Sequence, residues 1–284
     1  MARLVSVALC QVTGEPYRPD VNRPLYVQAI REAFAQGASL VLLPEMISSG
    51  YGDDRDQLRK VAEPLDGPTV STWQTLAAEY GGYVAGGFCE VDGESLFNSA
   101  VVVGPNGVEL HYRKLHLFSG EKRVFSDGDL GLPVADLSFG RVGLCVCYDL
   151  RFVEVVRALA LQGAELILVP TAWLVGFDEV KWLANGLAPQ AQGAVLQANL
   201  SQVFVACASQ AEDRGALEFL GSSCLVGPNG DLKSGPLSGT EDELAVIEID
   251  LDDCQRAQHR SDLITPRADR RTDVYGIRLD KEIL

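Results

Sequence analysis

Three reactive side chains in this sequence share one setting: each stands where a run of strand-forming residues ends. Cys147 follows residues 141–146, in which Val142, Leu144 and Val146 alternate as in a short buried strand. Phe152, Val155, Val156, Leu159 and Ala160 then recur at helical spacing, so the chain turns sharply around the cysteine. A thiol on such a turn is presented outward, and the backbone N–H of Tyr148 is aimed at whatever the sulfur attacks. Glu45 follows Pro44 at the exit of the continuously apolar run 40–43. Lys114 closes a hairpin of strands 97–103 and 108–112, joined across Gly-Pro-Asn-Gly. A thiol, a carboxylate to take its proton and an ammonium to hold an oxyanion together suit acyl transfer through a thioester. In sheets of this kind the carboxyl ends of strands gather in one crevice. Each residue also has a plain reading. Most free cysteines are small buried hydrophobes, which suits Cys145, and strand-end Glu and Lys are commonly solvated.

Other chemistries fit less well. Of the three histidines, His116 is the one placed to pair with Cys147, yet no protease-like motif surrounds either residue. Cys145 and Cys147 are two residues apart and share a strand face, but no His or Cys cluster completes four ligands, so no metal is expected. No phosphate loop or dinucleotide fingerprint is present, and no cofactor is expected.

The elements that must position these residues come from an ordinary globular composition. Of 284 residues, 47% are hydrophobic and 22% charged, and the net charge of −15 has no basic run to offset it. That excludes nucleic acid as an expected partner and disfavours anionic membranes. No apolar run approaches the roughly 18 residues that span a bilayer. The opening Met-Ala-Arg-Leu-Val-Ser-Val-Ala-Leu reads as a strand, not a signal peptide. The seven cysteines are odd in number and scattered, which is no disulfide framework, so a cytoplasmic location is expected.

Strands alternate with helices along the chain, giving an α/β fold with mixed sheets. The plan repeats. Gly-Ala-Glu-Leu-Ile-Leu-Val-Pro-Thr from Gly163 echoes Gly-Ala-Ser-Leu-Val-Leu-Leu-Pro-Glu from Gly37, 126 residues earlier. The segment from Gly221 to Gly230 echoes residues 97–107, with Val226 lying 123 residues after Val103. Two echoes of nearly one period imply a duplicated half and two similar sheets. No Pro- or Ser-rich linker divides the halves, so residues 1–284 are expected to form one domain, with its core over about residues 3–250. Residues 251–284 form a polar, arginine-rich tail, either solvated or reaching across a subunit interface. Tyr51 and Trp173 are candidates for a substrate pocket, or equally for core packing.

Pro44-Glu45, the run Tyr112-Arg-Lys-Leu-His-Leu-Phe, and Cys147-Tyr-Asp-Leu-Arg-Phe with Glu154 resemble, in order and separation, the three motifs of the nitrilase superfamily of carbon–nitrogen hydrolases. The resemblance covers nearly the whole chain. It implies a four-layer α-β-β-α sandwich with two mixed β-sheets and internal pseudo-two-fold symmetry. It implies Glu45 as general base, Lys114 as the oxyanion-holding amine, Cys147 as nucleophile and the Tyr148 N–H as the second oxyanion donor. A further glutamate that positions substrate in this family maps onto Glu121, although Ser-Gly-Glu-Lys without hydrophobic periodicity otherwise reads as a surface loop. The family tail packs at a dimer interface, which implies a homodimer or a higher homo-oligomer here. Length and motif form are closer to the amidase and carbamoyl-hydrolase branches than to true nitrilases, making a small-molecule amide the expected substrate. A non-catalytic binding module of the same fold is the rival class. One position departs from the family: Val153 stands where proline is usual. Proline there only preorganises a helix start, so a small stability effect is expected.

Overall fold

The structure is a computed structural model that describes residues 2–211 and 217–279 and the backbone of residues 282–283. The first half runs β1 (Leu4–Gln11), α1 (Pro19–Ala35), β2 (Leu40–Leu42), α2 (Arg55–Val61), α3 (Pro68–Tyr80), β3 (Tyr83–Asp92), β4 (Ser95–Gly104) and β5 (Gly107–Arg113). The second runs β6 (Val134–Leu137), β7 (Gly140–Leu144), α4 (Val153–Leu161), β8 (Leu166–Pro170), α5 (Pro189–Ser201), β9 (Phe204–Ala208), β10 (Cys224–Val226), β11 (Leu232–Ser234), β12 (Glu243–Asp250) and α6 (Asp252–Gln258).

These strands make two six-stranded sheets, ordered β12-β1-β2-β3-β4-β5 and β6-β7-β8-β9-β10-β11. In each sheet the second, third and fourth strands pair in parallel and the remaining pairs are antiparallel. The sheets therefore share one plan, with β12 returning from late in the chain to complete the first. The two sequence echoes fall at matching places: Pro44-Glu45 leaves β2 as Pro170-Thr171 leaves β8, and a Gly-Pro-Asn-Gly turn joins β4 to β5 as another joins β10 to β11.

Alternation along the strands assigns the layers. Ala8, Cys10, Val41, Leu43 and Val84 pack on Tyr26, Ile30, Phe34, Trp73 and Leu76 of α1 and α3. Their neighbours Val7, Leu9, Leu40, Leu42 and Ala85 turn the other way, into one apolar core with Leu144, Leu166, Leu168 and Val205 of the second sheet. Val155, Leu159, Ala191 and Ala198 of α4 and α5 join that core, so the order of layers is α-β-β-α.

The structure departs from the sequence pattern at β7, which ends at Leu144 and not at residue 146. Cys145 still donates its N–H to Leu168 O (3.2 Å), but the Val146 N–H goes to Asp149 Oδ2 (2.9 Å) and Cys147 takes a left-handed φ of +47°. A short 3-10 turn, Cys147–Arg151, follows. Cys145 is fully buried in the core, in the packing role expected of it, and Val153 opens α4 with its side chain mostly in solvent.

Adjacent residues on β5 face opposite ways, and Arg113 anchors the side away from Lys114. Its guanidinium holds both oxygens of buried Glu90 (2.6 and 3.0 Å) and reaches Asp92 and Asp129, while His111 Nε2 stands 2.9 Å from Glu90 Oε2. Burial alone would raise the Glu90 carboxyl, but the bonds from His111, Arg113 and Ser99 outweigh it and hold the group at about 2, below an ordinary 4.5. A depressed carboxyl stabilises the fold above its unfolded value and loses that contribution as pH falls toward its folded one. Glu90→Gln should therefore melt several degrees below wild type at neutral pH. The gap should close as the pH of the melt is lowered from about 4.5 to about 2. A gap that persists unchanged to acid pH would assign the loss to packing.

In the tail, Arg267 donates to Ser201 O (2.7 Å), Gln202 O (3.3 Å) and Ala160 O (3.0 Å), meeting the open carbonyls at the ends of α4 and α5. A cation there also complements both helix dipoles. On either side of this anchor Leu263, Val274 and Tyr275 are exposed, as are Leu196 and Leu200 on α5.

Candidate active site

Glu45 is clamped from both sheets. Leu43 N–H donates to Ala85 O, Gly87 N–H to Pro44 O and Ile47 N–H to Gly87 O, extending the β2–β3 pairing past the end of β2. From the other sheet, Glu45 N–H donates to Thr171 O (3.2 Å), and the Gln210 amide donates to Glu45 O (2.9 Å). Gly87 is required at this crossing: a Cβ there would lie 2.7 Å from both Glu45 Cα and Met46 N. Met46, immediately after the glutamate, has a φ of +55°, and Ser119, two residues before Glu121, has +46°. With Cys147, three non-glycine residues in left-handed backbone therefore bracket the site. Each costs on the order of 1–2 kcal/mol, a cost that elsewhere clusters at functional positions.

The Lys114 ammonium is fully buried and lies between two carboxylates. Its Nζ is 2.7 Å from Glu45 Oε1 and 2.9 Å from each oxygen of Glu121. Asn98 Nδ2 bridges the same acids, at 2.7 Å to Glu45 and 3.3 Å to Glu121. Glu121 also accepts from the Tyr51 hydroxyl (2.6 Å) and from Phe118 N–H (2.8 Å). It is thus a buried member of this cluster, not a loop acid. Burial would lower the Lys114 ammonium, but Glu121 and Glu45 more than reverse this and hold it above its ordinary value. Burial raises the Glu45 carboxyl, with the charge of Glu121 adding, while Lys114 and Asn98 oppose. Among the described residues, Glu45 Oε2 is buried and has no hydrogen-bond partner. Asn98 Oδ1 beside it is likewise unpartnered, but of the two only the carboxylate oxygen is basic enough to be a proton acceptor.

Cys147 stands in the field of this cluster. Burial pushes its thiol well above the ordinary value and Glu45 adds to the rise, while Lys114 and the backbone N–H of Ala172 pull it down. The resting group is a protonated thiol that needs a base. Asp149 fixes the cysteine turn against the lysine strand: it accepts from Val146 N–H, Tyr112 Oη (2.7 Å) and His116 N–H (3.1 Å). The His116 ring bonds Asp149 (2.8 Å) and stacks on Phe152 at 3.6 Å, so its bonding is to the acid and not to the thiol.

A narrow cleft of about 30 Å³ opens at Cys147, with Tyr148, Trp173, Phe118, Phe177 and Leu174 among its walls. Tyr148 packs edge-on to Phe177 (5.8 Å) and near Phe118 (5.2 Å), an apolar wall beside the sulfur. Of the two aromatic residues expected at the pocket, Trp173 lines this cleft, and so does Tyr148, whose N–H is the expected oxyanion donor. Tyr51 lines an adjoining hollow, and its hydroxyl is spent on Glu121.

Asn98, Asp149, Gly87 and Gln210 are site residues that pattern reading missed. Asp149 and Glu121 shared a readable signal, an acid three residues after the residue whose N–H it caps. Asn98 had one too, as a lone amide within a run of apolar strand residues.

A sandwich of this plan with a buried Glu–Lys–Glu cluster facing a strand-end thiol defines a hydrolase class, and the chain belongs to the carbon–nitrogen hydrolase family, whose model matches residues 6–259. Within that family it is a member of the nitrilase superfamily. It is 37% identical over 275 residues, 96% of this chain and 99% of the relative, to a protein of Pyrococcus abyssi named nitrilase. It is 32% identical to the human omega-amidase, covering 89% of this chain and 90% of the relative. Among solved structures it resembles an amidase from a Nesterenkonia species at 28% identity and a TM-score of 0.74, covering 95% and 98% of the two chains. That structure is of a glutamate-to-glutamine mutant carrying the product of Michael addition of acrylamide at the active-site cysteine. A Saccharomyces cerevisiae protein of branch 10 of the superfamily matches at a TM-score of 0.81 and 25% identity, over 93% and 96% of the chains.

Proposed function

We propose that this chain is a thiol amidase that cleaves the C–N bond of a non-peptide carboxamide, with Cys147 as nucleophile, Glu45 as general base and acid, and Lys114 and the Tyr148 N–H holding the oxyanion. The unpartnered Glu45 Oε2 carries the reading, since it is an open acceptor on a buried carboxylate whose charge acts on the Cys147 thiol. The Cys147 proton passes to Glu45 as sulfur bonds the carbonyl carbon, and negative charge moves to oxygen, where Lys114 stabilises it. The oxyanion collapses, the C–N bond breaks, and Glu45 returns its proton to the leaving nitrogen, releasing ammonia. Water then attacks the thioester, giving its proton to Glu45, and the thiolate leaves and is reprotonated from the same carboxyl. Glu121 holds the Lys114 ammonium and, in this reading, the substrate amide N–H. The complex of the Nesterenkonia amidase with acrylamide and the amidase names of relatives support this choice of substrate.

An N-carbamoyl compound or a nitrile would use the same residues and meet the same thiol. The test is ammonia release from matched panels of simple amides, N-carbamoyl amines and nitriles. The amides should be turned over at least about tenfold faster than the nitriles. No turnover of any class, with the thiol still reactive, would make the chain a binding module.

We further propose a homodimer joined over α5 and the tail, where Leu196, Leu200, Val274 and Tyr275 are exposed around the Arg267 anchor. A chain ending before Asp262 should elute at a smaller assembly size than the full chain. An unchanged assembly would remove the tail from the interface.

A further inference from the structure

On the assumption that the cleft at Cys147 is an amidase site, we infer that the acyl end of its substrate carries a hydrogen-bond donor, an amine or a hydroxyl, recognised by Gln190 and Asp178. Gln190 lies in the first turn of α5 and is 9% exposed. It lines both the aromatic cleft at Cys147 and a hollow of about 180 Å³ beside it, so it stands at the passage between them. Its side-chain oxygen Oε1 is buried and has no partner among the described residues. Asp178 lines the same hollow, and its Oδ2 is likewise buried without a partner, while Oδ1 takes only a long bond from Arg151 (3.5 Å).

Buried polar atoms are nearly always paired, so two open ones at one cavity call for a partner that the protein does not supply. Both are acceptors, and the missing partner must donate. An acyl chain ending in a carboxylate would set a third acceptor against them. Of the neighbouring cations, Lys181 pairs with Glu218, and Arg151, at the wall of the cleft, lies over the Phe177 ring with only the long contact to Asp178. The apolar walls before Gln190 suit a methylene chain, and the open acceptors suit a polar end. A site built to hydrogen-bond a donor discriminates strongly against the analogue that lacks it, because its own groups are then left unpaired.

The test compares hexanamide, its terminal-amino and terminal-hydroxy isosteres, and the terminal-carboxylate analogue. The wild-type protein should favour the amino and hydroxy compounds over hexanamide in kcat/KM by about tenfold or more. Gln190→Met should bring these ratios close to one, and Asp178→Asn should lower the amino ratio more than the hydroxy ratio. Gln190→Glu, which keeps the acceptor, should raise the amino ratio. Protection of Cys147 from iodoacetamide by the same compounds reads binding without turnover. Protection by the amino compound in a protein that hydrolyses no amide would sink the amidase reading and leave this one standing. Equal use of and equal protection by hexanamide, or preference for the carboxylate analogue, overturns the inference and returns Gln190 Oε1 to a bound water.

Discussion

Cys147→Ser should fold and lose essentially all amide turnover, by on the order of 10³-fold or more. The substitution keeps the shape of the side chain on its turn but replaces the thiol with an alcohol that is far harder to ionise. The burial that already raises the thiol penalises a charged oxygen further. Cys145→Ser gives the opposite pattern. That residue is fully buried among Leu144, Leu168 and Val205, so a hydroxyl there costs about 1–3 kcal/mol of stability while turnover persists. Ammonia release and thermal melts on the two variants separate them. If Cys145→Ser is the inactive one, the nucleophile has been misplaced by one strand pleat.

Glu45→Gln and Glu121→Gln should part company in two measurements. Glu121 touches Lys114, Asn98 and Tyr51, and none of its bonds is to the sulfur. Its loss misplaces the ammonium and the substrate, and a displacement of about 1 Å is worth roughly a hundredfold in rate. The negative charge of Glu121 also helps to raise the Cys147 thiol, so its removal leaves iodoacetamide labelling intact or faster. Glu45→Gln loses the proton acceptor, and at neutral pH both turnover and labelling should fall. Labelling alone should recover as pH rises, because hydroxide replaces the carboxylate and the thiol, relieved of Glu45's charge, ionises more easily. Near-wild-type hydrolysis by Glu121→Gln would end its positioning role. Undiminished neutral labelling in Glu45→Gln would end that of Glu45 as base.

The strand exits at Glu45, Lys114 and Cys147 were legible because each follows a periodic apolar run, and period is a local property of sequence. The duplicated plan was legible for the same reason, since both echoes are strand-and-turn segments. The burial of Glu121 was not, because Ser-Gly-Glu-Lys carries no period and becomes interior only when Lys114, Tyr51 and Phe118 close over it. The end of β7 was overestimated because Val146 continues the alternation, whereas Asp149, three residues on, takes the backbone donor that the strand would have used. Tyr51 was sought in the pocket as an aromatic near the base. Its hydroxyl instead bonds the acid it sits against, a choice that depends on which buried carboxylate lacks a donor.

The contact between Glu45 and Thr171 joins the two positions that the repeat makes equivalent, one at the end of each central strand. Were Thr171 the glutamate that its echo carries, a further carboxylate would enter this buried seam beside Glu45 and Glu121, with a single Lys114 to serve them all. Like charges so placed would drive one acid to hold its proton permanently. The uncharged threonine averts that, and so the doubled architecture supports chemistry on one side alone. Because Glu45 and Lys114 come from one sheet and Cys147 from the other, neither half of the chain contains the whole of the proposed set. Turnover therefore reports the docking of the sheets on each other, and should vanish as soon as they separate, even where each sheet keeps its own strands paired.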